Sequence, residues 1–396
     1  MPPAWEEPRA AAGGPLCGVR VLDLTAVLMG PSATQIMGDL GADVIKVESA
    51  QGDVMRGVGP YRHAGMGPLY LQANRNKRSV VLDLKSAPGR AALLALAGGA
   101  DVFITNVRTQ GMQRLGLGVE ALAAVNPAII YCAAVGYGED GPNAGRAAYD
   151  DLMQAASGIA GLFRDIDGQP RYAPVNMCDR IVGLYAVIAV MAALQHRART
   201  GEGQALEVPM FETMAQFVLA DHSGGRAFEP PLGAAGYRRL LSPTRGPYRT
   251  SDGWLAVVVY TDRDWRAFAS IVGAKDLFGE TSIFRSHESR TVNAPAVGAF
   301  LAGHFGSRST AEWLEVLRAA DIPAGPVNSL DDLYADPHLQ AVGLFERFEH
   351  PSEGTLTATR FPVKFSRSPA TLRRHAPTLG EHGRVTDPVP DPAQDP

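Results

Sequence analysis

From residue 19 onward, short runs of apolar residues alternate with stretches whose apolar positions recur every three or four residues. Residues 19–24 (VRVLDL), 44–47 (VIKV), 79–84 (SVVLDL), 101–105 (DVFIT) and 128–135 (AIIYCAAV) are short, apolar and rich in β-branched side chains, and each predicts a strand. Between them, residues 32–40, 88–97 and 119–125 have helical spacing, the first entered through Gly30-Pro31. Strand and helix taken in turn predict a doubly wound α/β domain with a largely parallel sheet.

One apolar run stands out. Residues 181–194 (IVGLYAVIAVMAAL) contain no charge and stop at 195–201 (QHRART then Gly201), where basic residues and a glycine suit a helix C-terminus. The run is shorter than the roughly 20 residues that cross a bilayer, so a helix buried on all sides of a large fold is expected. Asp179 stands at its front edge. Such a carboxylate is either an N-cap and nothing more, or a group held ionised by the helix dipole and free amides, ready to act as a nucleophile.

In open α/β sheets ligands bind outside the carboxyl ends of the strands. Those ends carry Lys46 and Glu48, Lys85, then Asn106, Val107 and Arg108, then Gly136-Tyr137-Gly138, with Arg114 and the Arg75 to Arg78 cluster close in sequence. Several cations at strand ends suit a polyanionic nucleotide or coenzyme A, solvated loop charges being the alternative. The first βα turn, residues 24–31 (LTAVLMGP), has no G-x-G-x-x-G, which disfavours a dinucleotide enzyme.

Past residue 213 the character changes. Residues 223–249 are loop-like and rich in Gly, Pro and Arg; 254–259 predict a strand, 264–272 and 310–320 helices, and 322–327 extended structure, together a smaller α+β domain. A net charge of -4 gives no footprint for nucleic acid. Cys17, Cys132 and Cys178 are too few and too scattered for a disulfide framework or a zinc site, so no metal and a reducing, cytoplasmic compartment are expected. Residues 1–15 lack the apolar stretch of a signal peptide and, like the Pro- and Asp-rich residues 386–396, are expected to be disordered tails.

An ordered set of motifs now carries a resemblance. It comprises 18–25 (GVRVLDLT), 40–48 (LGADVIKVE), 74–79 (NRNKRS), 82–85 (LDLK), Asn106, Gly136-Tyr137-Gly138, Tyr149-Asp150, Asp179 before its apolar helix, 200–204 (TGEGQ), 323–327 (PAGPV) and 379–382 (LGEH). The chain resembles the class III CoA-transferase (CaiB–BaiF) family over residues 18–382. The resemblance implies CoA transfer from an acyl-CoA thioester to a carboxylic acid through aspartyl anhydride and aspartyl-CoA thioester intermediates on Asp179. It implies a CoA site at Leu82, Lys85, Asn106, Val107, Arg108, Arg114, Arg146, Tyr149 and Asp150, with CoA as substrate and no tightly bound cofactor. It further implies an interlocked homodimer with no nucleic-acid or membrane partner. The domains then read as a large CoA-binding, Rossmann-like domain at 16–205, a linker and small α+β domain at 206–327, and a return to the large domain at 328–385.

Two alternatives stay open. An α-methylacyl-CoA racemase needs a base on each face of the α-carbon, and the racemase His falls at Tyr149, a poor proton acceptor at neutral pH. A CoA-binding protein without turnover would keep the cations and not need Asp179. Leu28 stands where formyl-CoA-transferase-like members carry Gln, and with Met29 it suggests an apolar acyl pocket rather than one for oxalate or formate. Arg238, Arg239, Arg245 and Arg249 read as solvated loop cations, the alternative being a grip on the acceptor carboxylate. The family's usual last helix is replaced by residues 383–396.

Overall fold

A computed structural model describes residues 13–385, so the expectations for residues 1–12 and 386–396 lie outside the described part. The chain divides into two compact units. The first comprises residues up to Ser157, Ala173–Gln216 and Ala341 onward; the second comprises Gly158–Tyr172 and Phe217–Gln340. The division therefore interrupts the expected large domain at 158–172, extends it to 216 and resumes it at 341.

In the first unit, strands β1 (Arg20–Leu24), β2 (Asp43–Glu48), β3 (Lys77–Leu82), β4 (Val102–Thr105), β5 (Ile130–Val135) and β6 (Gln204–Pro209) form a parallel sheet in the order β3-β2-β1-β4-β5-β6. The two-residue strand Arg384–Val385 pairs in parallel with the outer edge of β3. Chain direction across the sheet reverses between β1 and β4, and a crevice opens at such a switch point. The helices of this unit are α1 (Met29–Asp39), α2 (Pro68–Ala73), α3 (Ala87–Gly98), α4 (Thr109–Arg114), α5 (Val119–Val125), α6 (Asp150–Ala156), α8 (Met177–Thr200) and the first half of α9 (Met210–His222), while α7 (Ile159–Asp167) belongs to the second unit. Helices α3 to α5 cover one face of the sheet through Leu93, Leu96, Met112 and Leu122, which meet Leu22, Ile45, Val80 and Phe103.

The unbroken apolar helix differs from expectation. Helix α8 runs 24 residues, so by length and composition it is long enough to cross a membrane. It is not buried on all sides. Val182, Gly183, Ala186, Val187, Val190 and Ala193 face inward against α1, β5 and β6, while Leu184 and Ile188 are 49% and 63% exposed. Gly183 is the point of closest approach, because a Cβ there would stand 2.9 Å from the Met29 carbonyl oxygen.

The interior also holds the charges expected at the strand ends. Lys46 pairs with Asp53 at 3.0 Å, Lys77 with Asp23 at 3.1 Å, Arg56 with Glu48 at 2.7 Å, Arg75 with Asp39 and Arg78 with Asp43 at 2.6 Å each. These are neutralised, buried pairs and not a cradle for a polyanion. Removing one partner from such a pair costs about 3–5 kcal/mol.

The second unit packs α10 (Asp262–Ile271), α11 (His287–Val292), α12 (Ala294–Phe305) and α13 (Thr310–Ala319) on the three-stranded antiparallel sheet of 248–249, 254–257 and 324–326. Trp265, Phe268, Phe305 and Trp313 form its core. Capping boxes at Thr261 and Ser309 start α10 and α13, satisfying amides that no helical turn can reach.

Candidate active site

Asp179 is not an N-cap. Asn176 holds the cap position of α8, with no side-chain bond, and Asp179 is the third residue of the first turn. The carboxylate that caps this helix end comes from elsewhere. Asp150, at the start of α6, accepts the Asp179 amide on Oδ1 at 3.0 Å and the Gln154 Nε2 on Oδ2 at 2.6 Å. Gln154 in turn accepts the Ala173 amide at 2.8 Å and so holds the segment that leads into α8. Asp150, expected at the CoA site, is instead a buried post that fixes the entry of α8.

This arrangement shapes the electrostatics of Asp179. Burial, followed by the nearby Asp150 carboxylate, raises its pKa from 3.8 to about 6, and Arg180 offsets part of the rise. The expectation that helix amides hold it firmly ionised is therefore corrected. At neutral pH it is still mostly carboxylate, and among the described residues that carboxylate accepts no hydrogen bond. Its neighbour Cys178 is fully buried and its thiol is pushed up to about 12 by burial, so the thiol is not a nucleophile.

Asp179 opens onto a cavity of ≈ 340 Å³ at the carboxyl ends of β1, β4, β5 and β6. The structure brings Asn106, Val107, Arg108, Arg146 and Tyr149 to the same wall, together with Val27, Met29, Tyr137 and Met210. Arg108 and Arg146 are exposed on its rim, and neither pairs with a carboxylate among the described residues; Arg108 donates to the Gly145 carbonyl at 3.3 Å. Tyr149 is also exposed, at the N-cap of α6. Asn106 spends its amide on the protein: its Oδ1 accepts the Ala26 amide at 3.0 Å and its Nδ2 donates to the Ala26 carbonyl at 2.8 Å. It positions the β1–α1 turn.

That turn is under constraint. Val27 has φ 70°, a region that a β-branched residue enters only with strain of about 1–3 kcal/mol. It is held there by its amide's bond to Asp53 Oδ1 at 3.2 Å, while Lys46 grips both the Thr25 carbonyl at 2.8 Å and Asp53. The turn delivers the start of α1 to the cavity. The amides of Leu28, Met29 and Gly30 precede the first helical bond, which Ser32 makes to Leu28, and they donate to no acceptor among the described residues. At α8 most of the first amides are occupied: Met177 donates to Val175, Asp179 to Asp150 and Arg180 to Asn176, which leaves the Cys178 amide without an acceptor among the described residues.

Three expected CoA contacts lie away from the cavity. Leu82 is a core side chain at the end of β3, packed with Val80 and Phe103. Lys85 is exposed beyond β3, three strands from β4. Arg114 ends α4 and donates to the Gln110 carbonyl at 3.3 Å. Leu28 is buried at the N-cap of α1 and does not line the cavity, whereas Met29 does. Among the described residues, no group of three or more His, Cys, Asp or Glu is placed to hold a metal ion.

A profile of CoA-transferase family III matches residues 16–383, which span the fold and the cavity. The chain belongs to CoA-transferase family III. It is 34% identical over 380 residues to the succinate–glutarate CoA-transferase of Agrobacterium fabrum, covering 93% of this chain and 94% of that one. It is 33% identical to the succinyl-CoA:glutarate CoA-transferase of Mus musculus, covering 93% and 85%. Among solved structures, a CaiB/BaiF family protein from Brucella suis superposes with a TM-score of 0.78 at 33% identity, covering 93% and 97%. A Mycobacterium tuberculosis protein gives 0.80 at 29% identity, covering 94% and 98%. The enzyme is thus a CoA-transferase acting on acyl-CoA and carboxylic acid substrates, and the reading without turnover falls away.

Proposed function

We propose that this CoA-transferase works by covalent catalysis on Asp179. The observation that carries the reading is a buried carboxylate, free of hydrogen bonds and facing a cavity whose rim holds two unpaired arginines. The carboxylate attacks the thioester carbonyl carbon of the donor; the C–S bond breaks, CoA thiolate leaves, and a mixed anhydride forms. The thiolate then attacks the aspartyl carbonyl, releasing the donor acid and leaving an aspartyl-CoA thioester. The incoming carboxylate attacks that thioester, expelling thiolate and forming a second anhydride. The thiolate finally attacks its acyl carbon, which yields the new acyl-CoA and restores Asp179.

Burial helps the first step, because a carboxylate stripped of hydrogen bonds is a better nucleophile than a solvated one. Each attack develops an oxyanion, and the free amides at the start of α1 are the donors suited to it. Arg108 and Arg146 suit the phosphates of CoA. The wall formed by Val27, Met29, Val107, Tyr137 and Met210 receives the acyl chain. The relatives' names point to succinyl-CoA as the first donor to try and to dicarboxylic acids as acceptors.

The two-intermediate scheme requires a half-reaction without acceptor. Labelled succinate should exchange into succinyl-CoA when enzyme alone is present, and exchange should vanish in Asp179→Ala. Transfer that proceeds only when donor and acceptor are bound together, with no such exchange under any donor, would refute the scheme. We also infer that two copies associate as a homodimer over the exposed apolar face of α8, where Leu184 and Ile188 lie one turn apart.

A further inference from the structure

The second unit contains a cavity of its own, ≈ 360 Å³, bounded by the 239–248 segment, by the strand 254–257 with the residues after it, and by α10 to α12. It shares no lining residue with the Asp179 cavity. Its volume falls in the range of about 300–1,000 Å³ typical of small-molecule sites. Its wall has two characters. Tyr248, Val257, Val259, Trp265, Val297 and Leu301 make one side apolar and aromatic. Three arginines, Arg239, Arg245 and Arg290, make the other cationic, and no Asp or Glu lines the cavity.

The arginines are not equivalent. Arg290 is buried and already paired: it donates to Asp262 at 2.5 Å and to the Phe284 carbonyl at 2.9 Å. Arg239 and Arg245 pair with no carboxylate among the described residues, and Arg239 stands over the Tyr260 ring at 5.6 Å. Of the other buried or half-buried arginines, Arg20, Arg56, Arg75, Arg78 and Arg197 each hold a carboxylate, while Arg90, Arg360 and Arg373 donate to backbone carbonyls and Arg308 lies over Trp313. With 41 acidic residues against 37 basic ones, partners were plentiful. The nearby hydroxyls are taken up locally, Ser242 and Thr244 bonding each other at 2.9 Å. The charged recognition in this cavity therefore falls to two guanidiniums at the edge of an apolar chamber, with the His287 ring and the Tyr260 hydroxyl as further polar groups on its wall. Arg238 and Arg249 do not line it, and Arg249 lies over Trp254 at 5.5 Å.

We propose that this cavity binds a small organic carboxylate with an apolar or aromatic body. The carboxylate pairs with Arg239 and Arg245, whose forked donors match its two oxygens. The body rests against Trp265, Val297 and Leu301. Inorganic phosphate would satisfy the guanidiniums and leave the apolar wall uncovered, and an uncharged body would leave the guanidiniums unmatched.

Isothermal titration of the full-length protein with benzoate, benzamide and inorganic phosphate tests this directly. Benzoate should bind saturably, with benzamide and phosphate each at least about tenfold weaker. Arg239→Gln or Arg245→Gln should weaken benzoate by about tenfold and the double variant should abolish it. Arg108→Gln/Arg146→Gln, on the other cavity, should leave it unchanged. Arg245 is exposed and without a carboxylate partner, so its replacement should not unfold the unit; Arg239→Lys and Arg245→Lys, which keep the charge and lose the fork, should bind benzoate more weakly than wild type and more tightly than the Gln variants. Absence of saturable benzoate binding, binding indifferent to Arg239 and Arg245, or equal binding of benzamide or phosphate would each overturn the proposal.

Discussion

Asp179→Asn should make the protein more stable while removing its activity. The substitution keeps the size of the side chain and deletes a charge that folding disfavours. Burial first and Asp150 second raise the carboxyl from 3.8 to about 6. A carboxyl raised by folding contributes stability below its unfolded pKa and loses it as pH climbs through the folded value, so its cost is complete above pH 6. The difference between 3.8 and about 6 corresponds to about 3 kcal/mol at most. The favourable pull of the α8 dipole, about 0.3–1 kcal/mol, is lost with the charge, which leaves a gain of about 2 kcal/mol at pH 7.5. Urea unfolding of both proteins reads it, and the gain should shrink to about half at pH 5 as Asp179 takes up its proton. An Asn variant no more stable than wild type at pH 7.5, or a gain that does not change with pH, would refute the electrostatic account.

Three further outcomes follow from the same geometry. The nucleophile must be ionised in the free enzyme, so kcat/KM should fall about tenfold from pH 7 to pH 5; Asp150→Asn should move that acid limb to lower pH but keep it above 3.8, because burial is the larger cause. A limb that stays in place in the variant would contradict this. Arg108→Gln and Arg146→Gln should each raise KM for acyl-CoA by about tenfold with kcat kept, and should flatten its salt dependence; a loss in kcat alone would place them elsewhere in the mechanism. Light scattering should find a dimer for wild type and a monomer for Ile188→Glu, and a monomeric wild type would remove the basis for association over α8.

The sheet was largely legible because parallel strands are buried on both faces and so read as apolar runs; β4 and β5 have this form, and β1, β2 and β3 keep enough of it around the buried Asp23, Lys46 and Lys77. Strand β6 (QALEVP) escaped notice because it lies at the sheet edge and is mostly exposed. The strand at 384–385 is too short to leave any pattern. The charges were read least well. Arg75, Lys77 and Arg78 look like a free cationic cluster, yet each meets an aspartate distant in sequence, Asp39, Asp23 and Asp43, which no local pattern can indicate. Asp179 was found through its helix, but its environment was not. The carboxylate that adds to the effect of burial on its pKa, Asp150, lies 29 residues away, and most of the free amides that suit an oxyanion sit on α1 rather than α8. Only Val27, a valine forced to positive φ beside Gly30-Pro31, carries strain at the site, and nothing in its sequence neighbourhood announces it.

The central claim is that Asp179 becomes covalently attached during turnover. The enzyme would be mixed with succinyl-CoA, quenched with borohydride and digested, and the Asp179 peptide examined by mass spectrometry. Borohydride reduces an aspartyl thioester to the alcohol, so the account predicts that Asp179, and no other carboxylate, is converted to homoserine in a donor-dependent way. An unmodified Asp179 in an enzyme that is turning over would contradict it.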